Sequence, residues 1–144
     1  MSPSIKHEEV KKLLARLVET YADVRGINLY GRGSMTTKAP ELERGAEPDE
    51  CYVLNRQETK HDLVIEVVFT SGSINKLELY RGLGANEVWF WIDEALDMYV
   101  LEPAGYRRVM TSAIFPELDI GLFERFARSD DQARAVREFR RALG

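Results

Sequence analysis

The chain has little of what most metal or disulfide chemistry needs: one cysteine, Cys51, and two histidines, His7 and His61, in 144 residues. A lone cysteine forms no intrachain disulfide, which agrees with a reducing compartment, and one thiol with two imidazoles is too few for an ordinary zinc centre. No apolar run approaches the roughly 18 to 20 residues of a membrane span, and Met1-Ser-Pro-Ser-Ile-Lys lacks the apolar core of a signal peptide. A soluble, cytoplasmic protein is expected. No excess of positive charge is present either: the formal net charge is -4, so the whole molecule is not the basic body of a tight, non-specific nucleic-acid binder. No repeat, low-complexity tract, helix-turn-helix or zinc finger is recognisable, so no target sequence can be read.

What is present is a 44% hydrophobic composition, enough for one good core and too short a chain for two ordinary domains. A single domain over residues 1–144 is expected. Charge is unevenly spread. Glu41, Glu43, Glu47, Asp49 and Glu50 crowd one segment, and Arg125, Arg128, Arg134, Arg137, Arg140 and Arg141 crowd the C-terminus. Carboxylates suit a hard divalent cation and arginines suit phosphate, although both are more often solvated surface.

Val10, Leu13, Leu14, Leu17, Val18 and Tyr21 carry the i, i+3, i+4 spacing of an amphipathic helix from Ile5 to Tyr21, with Ser4 as N-cap and Gly26 closing the region. Ile27 to Tyr30, a turn at Gly31-Arg-Gly33 and an extended piece from Ser34 to Lys38 predict a hairpin. A polar loop from Ala39 to Pro48 feeds a strand at Asp49 to Leu54, and the chain turns through Asn55 to His61. Asp62 to Phe69 is a continuous apolar strand of the kind covered on both faces. A capping turn at Thr70 to Ser73 leads into a helix over Ser73 to Leu83, then comes an aromatic strand, Glu87 to Ile92. Together these make a βαβ unit with parallel strands. Strands at Leu96 to Leu101 and Tyr106 to Met110 extend it as an antiparallel meander. Helices at Ile120 to Arg128 and from Asp130, as N-cap, to Leu143 close the chain. The fold class is α/β, a mixed sheet flanked by helices. Trp89, Phe90 and Trp91 put aromatics on both faces of one strand, normally core, with a dimer interface as the other use.

One residue breaks the pattern. Glu66 sits inside Asp62-Leu-Val-Ile-Glu-Val-Val-Phe69, where an ionised carboxylate costs several kcal/mol unless it is paired, protonated or bound to a metal. Asp49 opens the preceding strand, and neighbouring strands lie about 4.8 Å apart, so the two carboxylates can share one cation. Mg²⁺ takes one or two carboxylates plus water and phosphate oxygens, and Mn²⁺ fits the same ligands. Lys76 lies in the first turn of the next helix, where the helix dipole disfavours a cation, and shares a face with Tyr80. Two acids and an amine in this order are the parts of a metal-dependent phosphodiesterase. The structural alternative is that Glu66 is salt-bridged to Lys76 or an arginine and Tyr80 only packs.

The strings Gly45-Ala-Glu-Pro-Asp-Glu-Cys-Tyr52, Leu63-Val-Ile-Glu-Val67, Asn75-Lys-Leu-Glu-Leu-Tyr80 and Glu87-Val-Trp-Phe-Trp91 resemble the domain-of-unknown-function 820 family, restriction-endonuclease-like proteins of the PD-(D/E)XK nuclease superfamily abundant in cyanobacteria. Ser4-Ile-Lys-His7 and Ile114-Phe-Pro-Glu-Leu-Asp119 look like further family segments, so the resemblance covers nearly the whole chain. It implies a Mg²⁺- or Mn²⁺-dependent DNA endonuclease, with Asp49 and Glu66 as metal-binding acids, the Val67 carbonyl as a backbone ligand, and DNA as substrate. Val68 stands where the superfamily motif has its lysine, so the resemblance implies a migrated lysine from the following helix, Lys76. Superfamily nucleases often add a helical acid near the start, a position open to Glu8 or Glu9. His7 and Ser71 match family positions and are each explained by a local hydrogen bond or cap. A homodimer would suit cutting both strands. The alternative is a catalytically inactive nuclease-fold protein, acting as a DNA-binding or protein-interaction module; the net acidity and Val68 favour it.

Overall fold

The computed structural model describes residues 4–33, 48–55, 61–69 and 73–144. Helix α1, Ile5–Arg25, starts where expected because the extended Ser4 accepts a hydrogen bond from the His7 N–H at 3.0 Å. It runs one turn past Tyr21 and stops at Gly26, whose φ of 69° is the left-handed conformation that ends helices without a Cβ penalty. Leu13, Leu14, Leu17, Val18 and Tyr21 are its buried face.

The strands β1 (Leu29–Gly33), β2 (Glu50–Leu54), β3 (Leu63–Val68), β4 (Glu87–Ile92), β5 (Ala95–Glu102) and β6 (Gly105–Val109) form one sheet in sequence order. Every neighbouring pair is antiparallel except β3 and β4, which are parallel and joined by α2 (Ser73–Leu83). The βαβ unit and the meander thus stand as expected, within a mixed sheet flanked by helices. Helices α3 (Ile120–Ala127) and α4 (Gln132–Leu143) complete the chain. The N-cap of α4 is Asp131, one residue later than expected. No helix among the described residues is long and apolar enough to cross a membrane.

The hairpin expected around Gly31-Arg-Gly33 is not the arrangement found. Gly31 and Gly33 lie inside β1, paired with Tyr52 and Cys51 of β2 across a register shift. Their glycines serve a close approach and a bulge instead of a reversal. A Cβ on Gly31 would come within 3.2 Å of the Tyr52 ring, and Gly33 has φ +59°. The extended piece at 34–38, most of the loop at 39–48 and the capping turn at 70–72 fall outside the described residues.

Strand alternation sorts the core into two layers. Leu63, Ile65, Val67, Trp89 and Trp91 face α1, α3 and α4, where they meet Leu14, Leu17, Tyr21, Phe115, Phe123 and Phe139. Val64, Val88 and Phe90 face the other way and pack with Cys51 and Tyr80 of α2. Trp89 is fully buried, with edge contacts to Phe115 and Phe123, so the aromatic strand is core. Glu66 has the parity of Val64. It therefore points into the thinner layer beneath α2.

A second buried carboxylate had no expected role. Glu87, at the start of β4, accepts from Trp89 Nε1 at 2.6 Å, Ser112 Oγ at 2.6 Å, and the Ala113 and Ile114 N–H groups at 3.0 and 3.2 Å. It pins the 110–119 segment to the sheet, seating Phe115 and Leu118 in the core and placing Asp119 to cap α3.

Candidate active site

The β2–β3 register, Glu50 opposite Ile65 and Cys51 opposite Val64, brings Asp49 opposite Glu66 when carried one step beyond the last pair. Directly opposed residues project to the same face. The two acids therefore belong to one corner of the α2 layer, where β2 gives out and β3 continues. Asp49 Oδ2 accepts a hydrogen bond from the Val67 N–H at 2.7 Å, so its side chain occupies the place on the β3 edge that the next β2 residue would fill. The N–H and C=O of one strand residue point to the same edge. The Val67 carbonyl therefore faces the Asp49 side.

Glu66 is 2% exposed and both its oxygens have donors. Tyr80 OH donates to Oε1 at 2.7 Å, and the Lys76 ammonium is bonded to Oε2. Lys76 and Tyr80 lie one turn apart on α2, so a single helix face delivers both groups to one carboxylate. The two donors differ in kind. Tyr80 is buried, with its ring among Cys51, Val64 and Phe90, and burial followed by the Glu66 charge pushes its hydroxyl pKa far up, so it remains a donor. The Lys76 side chain is 52% exposed and brings its charge in from solvent. Val68, at the strand position two after Glu66, is partly buried against the α2-side core.

His7 closes the far side of Asp49. Its Nε2 lies 3.4 Å from Asp49 Oδ2, its Nδ1 lies 3.2 Å from Glu8 Oε2, and its ring meets Phe69 edge-on at 5.6 Å. Lys11 holds Glu8 Oε1 at 2.9 Å; hydrogen bonds from Lys11 and then His7 lower the Glu8 pKa, while Glu8 raises that of Lys11. Glu8 is thus spent on α1 itself. Glu50, beside Asp49, is buried with Lys12 at 3.7 Å, and burial raises its carboxyl pKa. An open cavity of about 190 Å³ lies beyond Phe69 on the α1 side of the sheet, lined by Lys6, Val10, Phe69, Trp91 and Arg128 among others and by none of Asp49, Glu66, Val67 or Lys76.

The geometry thus gathers Glu66 and Lys76 directly, and Asp49 and Val67 through a hydrogen bond and the register. His7 was expected as no more than a local hydrogen bonder, and its contact with Asp49 carries no sequence signal across 42 positions. Among the described residues, no group of three or more His, Cys, Asp or Glu side chains is arranged to hold a metal ion. What a cation would find is two carboxylates and a main-chain carbonyl. Each carboxylate oxygen has two lone pairs, so one donor to each Glu66 oxygen leaves acceptor capacity on both. Hard oxygen donors in this number fit Mg²⁺ or Mn²⁺.

No curated protein matches the chain. Among solved structures it is similar to a crystal structure described as a "putative nuclease belonging to DUF820" from Anabaena variabilis ATCC 29413, with a TM-score of 0.64 and 12% identity over 88% of this chain and 84% of that one. At that identity the likeness speaks for the fold, a nuclease-like sheet with flanking helices. Residues 1–125, from α1 into α3 and so including every residue of the corner described above, match the Uma2 family, described as "Putative restriction endonuclease". The chain belongs to that family.

Proposed function

We propose that this single domain is a metal-dependent DNA endonuclease, in which Asp49, Glu66 and the Val67 carbonyl hold one Mg²⁺ or Mn²⁺ and Lys76 is the migrated lysine of the site. The observation that carries the reading is the pairing of a nearly inaccessible carboxylate, Glu66, with a half-exposed ammonium from a different element. A bound divalent cation supplies polarisation of the scissile phosphate and a lowered pKa for the attacking water. The chain's own groups do the rest. Glu66 is oriented by Tyr80, and Asp49 by the Val67 N–H with His7 behind it. Lys76, whose ammonium stands half in solvent beside Glu66, would present its charge to the attacking water or to the charge developing on phosphorus. Phe69, 59% exposed beside the cavity, offers an aromatic face to a nucleobase next to the reacting phosphate. Work in the cytoplasm agrees with a single, buried, reduced Cys51. A homodimer with one site per chain would suit cutting both strands of a duplex.

A second reading, a DNA-binding or protein-interaction module without catalysis, is favoured by Val68 in the strand lysine position and the net charge of -4. Incubation of supercoiled plasmid with Mg²⁺ or Mn²⁺, beside Asp49→Ala and Glu66→Ala, separates the two. Nicking by the wild-type protein, lost by at least about 100-fold in both variants, is expected when each removed group is a needed part of transition-state stabilisation. Nicking that survives both changes sinks the metal site; absence of nicking with retained DNA binding leaves the second reading.

A further inference from the structure

Helix α4 carries Arg134, Arg137, Arg140 and Arg141 against one acid, Glu138, a net +3 over twelve residues in a chain whose total is -4. Its buried side is Ala135 and Phe139, with Val136 and Leu143 packed beside them. At 100° per residue, Arg134, Arg137 and Arg141 fall together opposite that stripe, with Arg140 at its margin. Arg134 pairs with Glu138 at 3.2 Å; among the described residues the side chains of Arg137, Arg140 and Arg141 make no ion pair. Arg140 and Arg141 complement the helix dipole, but Arg137 sits at i, i+3 and i, i+4 from both, which is repulsive. A face kept only for solubility would alternate sign.

The ridge continues onto α1. Arg16 reaches Gln132 at the start of α4, at 3.3 Å, and Arg25 reaches the Leu143 carbonyl at its end, at 3.4 Å. Gln132 also bonds the Glu9 carbonyl, two residues along α1 from His7. So α4 lies along α1 in the same direction, and the line of exposed guanidinium groups starts about two helical turns from Asp49's neighbour His7 and leads away from it. Arginine is the side chain suited to phosphate oxygens. α4 lies beyond the residues that the family match covers, so this chain alone carries the point.

We infer that the arginine ridge of α4, extended by Arg16 and Arg25, is the surface that holds the phosphate backbone of duplex DNA beyond the cleavage site. The inference deepens the nuclease reading and rests on it for the identity of the polyanion. α4 is about 18 Å long, the rise of about five base pairs, so it can follow one backbone without reading sequence. This reconciles a chain of net negative charge with a polyanionic substrate: attraction is local to one ridge.

Binding of a fluorescent 20-base-pair duplex, followed by anisotropy against salt concentration in EDTA, tests it without needing hydrolysis. The triple variant Arg137→Gln/Arg140→Gln/Arg141→Gln should reduce the slope of log affinity against log salt by about 2.7, so that the wild-type protein loses about 40-fold more affinity than the variant between 50 and 200 mM salt. Replacement of the same three by lysine should keep the slope, which shows that charge and not fold is read. Arg107→Gln/Arg108→Gln, whose guanidinium groups bond Glu102 and Asp97, should also keep it. An unchanged slope in the glutamine triple overturns the ridge and leaves the nuclease reading standing. Ridge-dependent binding without plasmid nicking sinks catalysis and supports the ridge. Failure of the wild-type protein to bind the duplex at 20 mM salt, with or without binding to phosphatidylserine vesicles, also overturns it.

Discussion

Lys76→Met isolates the energetic logic of the site. The change removes the ammonium and keeps most of the stem, leaving Glu66, 2% exposed, with only the Tyr80 hydroxyl. Removing one partner of a buried ion pair costs about 3–5 kcal/mol. Two features reduce that here. The lysine side chain is 52% exposed, so water replaces part of what it supplied, and the Tyr80 hydrogen bond remains. About 2 kcal/mol is expected, near 6 °C in Tm for a chain of this length. Urea denaturation in EDTA should show a lower midpoint at unchanged slope, because the surface exposed on unfolding is the same.

The same variant should respond more strongly to metal. If a divalent cation and the Lys76 ammonium both compensate Glu66, removing the ammonium removes a competitor. Mg²⁺ or Mn²⁺, which at a hundred times the dissociation constant stabilises the protein that binds it by about 2.7 kcal/mol, should then stabilise Lys76→Met more than the wild-type protein at the same concentration. The extra stabilisation should vanish in Glu66→Gln/Lys76→Met, and nicking should fall although the metal binds. A cost below about 0.5 kcal/mol in EDTA, the scale of an ordinary exposed ion pair, would refute the compensation argument. Equal metal shifts in all three proteins would refute the shared carboxylate.

Three further outcomes follow from the same geometry. Tyr80→Phe removes a hydrogen bond to a charged, buried acceptor and should cost about 2 kcal/mol in urea, together with a loss of nicking from a less well oriented Glu66. Glu87→Ala strands four donors and should cost at least about 4 kcal/mol by the same measurement, with no change in the stabilisation that Mg²⁺ gives to whatever fraction folds. Glu50→Gln should raise stability at neutral pH. Burial lifts the folded pKa of Glu50 above its unfolded value, so its favourable contribution is present below the unfolded pKa and is lost as pH rises through the folded one. The gain from glutamine should therefore fade below about pH 4, where the wild-type carboxyl is itself protonated.

What the sequence made legible follows from how local each signal is. Ser4 and Gly26 mark α1 because capping and left-handed termination are decided within a turn. The unbroken apolar run of β3 and the aromatic run of β4 identify buried central strands, and the helix between them makes the pair parallel. Gly31 and Gly33 misled because glycine signals backbone freedom without saying whether it serves a turn or a close approach to Tyr52. Asp130 and Asp131 are equally good caps, and only the packing of Phe139 and Ala135 chooses the helix phase. In the corner at Asp49, the oddity of Glu66 was visible as a charge among aliphatic neighbours. The approach of His7 to Asp49 depends on how α1 crosses the end of the sheet, which no window of sequence contains.

Glu66 and Glu87 show why burial alone does not distinguish a working carboxylate from a structural one. Both are nearly inaccessible strand residues, and both have their oxygens occupied. Glu87 is satisfied by an indole, a hydroxyl and two main-chain N–H groups, all neutral donors fixed by the fold, and only Ser112 and Trp89 among them are side chains. Its charge is stabilised by dipoles that cannot leave, so nothing is gained by offering it a cation. Glu66 has one fixed neutral donor, Tyr80, and one full positive charge on a flexible stem that stands half in solvent. That charge can be exchanged for another without rebuilding the core. The difference also accounts for position: Glu87 lies at the start of its strand, beneath the 110–119 segment, whereas Glu66 lies where β2 ends and the β3 edge opens toward Asp49. A carboxylate whose counter-charge is replaceable, at an open sheet corner, is where a cation and a phosphate can enter together. Moving Glu66 toward the Glu87 setting, with a neutral donor in place of Lys76 as in Lys76→Gln, should leave a stable fold that Mg²⁺ stabilises less than it stabilises Lys76→Met and that cleaves poorly.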